Sequence, residues 1–169
     1  MAWFSQEAVI NAQPIGAVSA TALVPIGTTI TAEDRSSTGA SLGGGEFIYL
    51  QGGTSVILGS LCTYTLVTGA TVLAPATAGN GPVAASMSTL TAGQYGWFQR
   101  QGRAAVKAPN AMVVGADVFM LAATPGSVDD AAVAGEQVLC ARVGTSTGTP
   151  ATGLAYIDID RPFLQGQIT

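Results

Sequence analysis

The chain has 169 residues, 48% of them apolar and only 9% charged, with a net charge of −4 and no histidine. That is about one domain of sequence, apolar enough for a real core. Six basic residues exclude a general nucleic-acid binder, which needs a track of phosphate-neutralising lysines and arginines, and low charge with ordinary hydrophobicity excludes disorder.

A folded chain of this size exposes on the order of 7,700 Å². Six basic and ten acidic residues cover that area thinly. Self-association or a large partner accounts for such a surface; the alternative is solvation by the abundant Ser, Thr, Gln and Asn.

In chain order, residues 1–45 differ from the rest. MAWFSQEAVINAQ is compatible with one or two helical turns, with Trp3, Phe4 and Ile10 as apolar anchors. The stretch to Gly45 mixes small residues with Pro14, Pro25 and glycines, and proline biases the preceding residue toward extended backbone. It reads as an extended arm. Its apolar patch Ala22–Ile26, with Val24 and Ile26, is a poor solvated tail, so it lies along another surface or packs back on its own barrel as an edge strand and loop.

From Glu46 to the end at Thr169 the pattern predicts one β-barrel or β-sandwich domain. Glu46–Gln51 (EFIYLQ) is a β-branched and aromatic run, and Leu61–Val67 (LCTYTLV) alternates with period two. Thr71–Ala74 is placed to pair back, Pro75–Gly81 is a loop, and Asn80-Gly81 is a strong turn dipeptide. Pro82–Met87 and Gln94–Gln101 follow as strands, separated by a turn at Thr91-Ala92-Gly93. A further turn at Gln101-Gly102 makes a hairpin with Arg103–Lys107. Asp117–Ala122, Ser127–Asp129, Glu136–Val143 and Leu154–Asp160 complete the strands, with Pro162 ending the last. Turn signals every eight to twelve residues and no helical periodicity predict an all-β fold, jelly-roll-like or a barrel.

Reactive constellations are sparse. Without histidine a Ser–His–Asp triad is excluded, and zinc is disfavoured because the two cysteines, Cys62 and Cys140, form no CxxC. Both read as free thiols. The glycine-rich LGGGE lacks the GK[ST] of a phosphate loop. Asp158 and Asp160 share a strand face and read as a solvated face beside Arg161; Asp129-Asp130 reads as turn chemistry. No catalytic residue, metal ligand or cofactor is assigned. Arg100, Arg103 and Lys107 form the basic cluster, with Arg100 and Arg103 flanking the predicted turn. With Trp97 and Phe98, these two arginines are candidate subunit contacts. No basic leader precedes Arg35, and no apolar run reaches the ~18–20 residues of a membrane span. Synthesis in the cytoplasm is expected.

The order EFIYLQGGTS, GSLCTYT, GPVAASMSTLTAGQYGWFQRQGRAAVKA, GADVFMLA, TPGSVDD and GEQVLCARV resembles the capsid decoration (cement) proteins of tailed bacteriophages, over about Leu42 to Leu164. Its most specific part is the run from Ala92 to Val106. The resemblance implies a β-rich, non-enzymatic virion protein, often a homotrimer. Such a protein sits on the capsid exterior, binds the major capsid protein and locks the shell, touching neither DNA nor membrane. Trp3, Phe4, Ile10, Val24, Ile26, Trp97, Phe98, Arg100 and Arg103 are the expected subunit or capsid contacts. The competing reading is a head-fibre or receptor- or carbohydrate-binding β-module, which an exposed aromatic platform would favour.

Overall fold

The computed structural model describes residues 3–5, 13–34, 43–77 and 79–166. Among them no helix forms. The strands are β1 Trp3–Ser5, β2 Thr29–Asp34, β3 Gly44–Gln51, β4 Leu61–Tyr64, β5 Thr71–Leu73, β6 Asn80–Ser86, β7 Tyr95–Lys107, β8 Asp117–Met120, β9 Val128–Asp129, β10 Gln137–Val143 and β11 Leu154–Gln165. They join in one sheet in the order β1-β2-β3-β7-β6-β11-β10-β8-β9, with the β4–β5 hairpin attached to β6. The all-β expectation holds. The sheet is not a closed barrel; it folds over itself as a sandwich-like body.

Partner switching in the two longest strands folds it. Residues Tyr95 to Gln101 of β7 pair with β3, and Gln101 to Lys107 pair with Asp160 to Leu154 of β11. Beyond that, Phe163 to Gln165 of β11 pair with Pro82 to Asn80 of β6. The predicted hairpin at Gln101-Gly102 is therefore corrected to one continuous strand with a bulge. Glu46 faces Gln101 and Phe47 faces Gln99, so Arg100 is the extra residue. Gly102 takes φ +95°, and a Cβ there would lie 2.5 Å from the Gly44 carbonyl oxygen. Only glycine fits where β7 crosses so close to β3.

Pro162 does not end the last strand. Ile159 faces Ala141 and Phe163 faces Leu139, so Pro162 lies in a skipped stretch where its missing N–H costs no ladder bond. Asn80 and Gly81 are not a turn but pair with Gln165 and Leu164, because a long-range partner overrides local turn preference. The stretch after Tyr64 turns early: Gly69 N–H donates to the Thr65 carbonyl at 2.8 Å. Trp3–Ser5 is a strand against β2, not a helical turn; residues 6–12 lie outside the described ones.

Three apolar clusters fill the body. In β3, Phe47 and Tyr49 face one cluster, with Ile15, Val24, Ile30, Ala32, Met87 and Trp97. Ile48 and Leu50 face another, with Val56, Cys62, Ala84, Leu90 and Phe98. The period-two rule thus persists although both faces are buried. Residues 13–32, part of the expected arm, run over the first face and so follow the packed-back course. Trp97 Nε1 donates to the Gln13 carbonyl at 2.9 Å, and the Tyr49 hydroxyl donates to Gln13 Oε1 at 3.2 Å. Tyr49 and Trp97 meet edge-on, with centroids 5.1 Å apart, a contact worth roughly 0.5–1.5 kcal/mol beyond area burial. The third cluster joins β6, β8, β10, β11 and the second half of β7 through Val83, Val106, Val118, Val138, Ile157 and their neighbours.

Candidate functional site

The residues expected to make contacts divide sharply. Trp97 and Phe98 are fully buried within the chain, in the clusters on opposite faces of β7. They are core residues, and no surface of theirs is left for a partner. Val24 is buried beside Trp97 in the same cluster, while Leu23 and Ile26 on either side of it are exposed. Trp3 and Phe4 belong to β1, and nothing is described of their side chains; Ile10 lies outside the described residues. Arg100 and Arg103 are neighbours along β7 but have different partners. Arg100 pairs with Glu46, which also takes Arg161 at 2.9 Å. Arg103 makes a two-pronged pair with Asp158, at 2.7 and 2.9 Å.

The Glu46 ion triad ties both irregular strands to β3. Arg100 is the extra residue of the β7 bulge, and Arg161 sits at the β11 bend with φ 48°. Burial works against the Glu46 carboxylate, but hydrogen bonds and charge from Arg161 and Arg100 outweigh it and hold its pKa below the ordinary value. Beneath the bulge, the buried Gln99 side chain donates to the carbonyls of Gln101 and Arg103 at 3.0 and 3.3 Å.

Beside this junction a concave groove of about 700 Å³ is lined by Gly102, Arg103, Asp117, Leu139, Cys140, Arg142, Asp158 and Asp160. Its arginines are both neutralised, since Arg142 pairs with Asp117 at 2.6 Å and Arg103 with Asp158. Cys140 is an exposed free thiol at a β-bulge with φ 59°, while Cys62 is buried and free. The sequence suggested Arg161 as the neighbour of the Asp158/Asp160 face; the cross-strand partner is Arg103. Asp129 acts as turn chemistry predicts, accepting from Asp130 N–H at 2.7 Å and from Asn110 Nδ2 at 2.6 Å.

The feature that sequence reasoning missed lies in the uncharged half. From Phe47 to Gln99, and from Ala8 to Ala32, there is no Asp, Glu, Lys or Arg. These spans supply β3 from Phe47 on, β4 to β6, the start of β7 and the packed-over segment. At the β4–β5 turn Leu66 is 67% and Val67 92% exposed. Two hydroxyls brace the turn: Val67 N–H donates to Thr65 Oγ1 and Ala70 N–H to Thr68 Oγ1, each at 3.3 Å. Gly69 leaves the space that the exposed Ile26 fills, and Leu66 Cδ2 lies 3.8 Å from where a Cβ of Gly27 would be. Ile26, Leu66 and Val67 thus form an apolar tip built from the uncharged stretches of the sequence. Turn tips are normally polar. The missing signal was available in LVTG, where two large apolar residues precede a turn glycine.

No family model matches the chain, and no curated protein matches it.

Proposed function

We propose that this chain is a virion structural protein: a capsid decoration (cement) protein that binds the outer surface of the major capsid protein shell as a self-associating, homotrimeric unit and stabilises the head. One observation carries the reading. The uncharged stretches present an apolar tip braced by turn hydrogen bonds, Ile26 with Leu66 and Val67, which lies outside the chain's own core clusters. Contact regions at the centre of interfaces are depleted of charge and rich in preformed apolar anchors. Such a tip loses little conformational freedom when it docks, and repetition over a shell multiplies weak contacts.

The aromatics weigh against the receptor- or carbohydrate-binding alternative. Phe47, Tyr49, Trp97 and Phe98 are buried, and among the described aromatics only Phe163 is exposed, whereas a platform needs several rings outside together.

Purified protein added to undecorated capsids is expected to give ordered density at symmetry axes. Leu66→Ser/Val67→Ser is expected to weaken attachment by about a hundredfold, since burying each side chain contributes on the order of 1.5 kcal/mol or more. Absence of ordered density overturns the proposal. Equal attachment of the double variant overturns the role of the tip.

A further inference from the structure

A second apolar corner is exposed, and its electrostatics differ from those of the first. Val113 and Val114 are 68% and 62% exposed, and Val133 on the neighbouring loop is exposed as well. The two loops are locked together: Val113 N–H donates to Asp130 Oδ2 at 2.7 Å, and Asn110 Nδ2 to Asp129 Oδ2 at 2.6 Å. Met112, beside Val113, is buried and pins the loop to the core. Turning the valines inward would break these contacts, so they are held outward.

Between Lys107 and Arg142 the sequence has four acidic residues, Asp117, Asp129, Asp130 and Glu136, and no basic one. Asp117 is neutralised by Arg142. Among the described residues no lysine or arginine forms an ion pair with the other three; Asp129 and Glu136 are buried, and Asp130, which touches Val113, is partly exposed. Burial works against a charge on Asp129, but hydrogen bonds from Asn110 and from Asp130 and Ala131 hold its pKa below the ordinary value. The corner is therefore an apolar knob within a negative field.

We infer that the Val113–Val114 corner docks a protein surface that carries an apolar recess rimmed by lysine or arginine. Exposed apolar surface supplies the contact, and the negative charge of the Asp129–Asp130 loop beside it selects and steers a positive partner. A second copy meeting the same corner would set two Asp129–Asp130 loops of like charge against each other, which disfavours self-contact here. The inference goes beyond the function proposed above, because it concerns a different corner and names the chemistry of the partner surface.

The test uses the full chain and three probes: an amphipathic Leu–Lys helical peptide of about five turns, the matching Leu–Glu peptide, and polylysine of equal length. Calorimetry is run at about 50 mM and about 500 mM salt, across which screening changes severalfold. The Leu–Lys peptide is expected to bind tightest and to lose affinity with salt. Val113→Ser/Val114→Ser is expected to weaken it about tenfold. Asp130→Asn, which keeps an acceptor for Val113 N–H but removes a charge, should weaken it severalfold. Leu66→Ser/Val67→Ser should leave it unchanged. Equal binding of the Leu–Glu peptide or of polylysine overturns the inference, as does equal loss in the Leu66/Val67 variant. Sedimentation in which the valine variant dissolves a wild-type oligomer would reassign the corner to self-contact and also overturn it. Should the valine variant fail to fold, Asp130→Asn decides alone, and unchanged affinity overturns the inference. The capsid experiment reads the other corner and is unaffected by any of these outcomes.

Discussion

Gly102→Ala tests whether β7 is one bent strand. Gly102 has φ +95°, and its Cβ would meet the Gly44 carbonyl oxygen at 2.5 Å and Gly45 Cα at 3.1 Å, both backbone atoms. Forcing a side chain into that conformation costs about 1–3 kcal/mol. Shifting β3 or β7 to relieve the crowding adds about 1–3 kcal/mol, the usual cost of overpacking. Gly93 is the matched control: it has φ +87° in the turn before β7, and a Cβ there would meet nothing within 4 Å. Gly93→Ala therefore carries only the conformational part. In urea unfolding, with a slope of about 2 kcal/mol per molar, the two midpoints should differ by roughly 0.5–1.5 M. If Gly102 were instead the open tip of a hairpin, as the local sequence suggests, its substitution would cost no more than that of Gly93. Equal midpoints would refute the bulge and, with it, the account of how the sheet folds on itself.

Two further outcomes follow from the charges and thiols. Glu46 has a lowered folded pKa, so its contribution is full above the unfolded carboxylate value of about 4.3 and is lost as pH falls through the folded value. Glu46→Gln should be less stable than wild type near neutral pH, with the gap closing in acid; urea midpoints that stay equally separated below about pH 3 would contradict this. Cys62 is buried, and burial pushes its thiol up to about 12, whereas Cys140 is exposed. An aromatic disulfide reagent should therefore label one thiol in the folded chain and both in denaturant, and Cys140→Ser should abolish the folded-state signal.

Much of the strand pattern was legible because side-chain alternation survives whatever packs on it. EFIYLQ is β3 with one added turn-side pair of glycines, and Glu136–Val143 shrinks by one residue to β10. The errors share one cause. Gly102, Pro162 and Asn80-Gly81 are local signals for stopping or turning, yet each sits where a distant strand supplies a ladder or a bulge absorbs the irregularity. A glycine with positive φ serves a turn and a bulge equally well. Which of them forms depends on the neighbour, and the neighbours of Gly102 are Gly44 and Gly45, more than fifty residues earlier in the chain.

The proposed contact surface was legible only as a deficit. Low charge predicts covered surface but does not say which apolar residues lie outside. Trp97 attracts attention because it is large and stands near the arginines, yet size is also what suits it to a core bounded on both faces. Leu66 and Val67 look like the end of a strand, since LCTYTLV keeps perfect alternation. What moves them outside is the Thr65–Gly69 turn, closed by a backbone bond and two threonine hydroxyls. Residues that continue a strand pattern after its ladder has ended have no second strand to cover them. In this chain that mismatch occurs at the β4–β5 turn, within the longest stretch of sequence without a charge, and those two conditions together mark Leu66 and Val67 as exposed where hydrophobicity alone cannot.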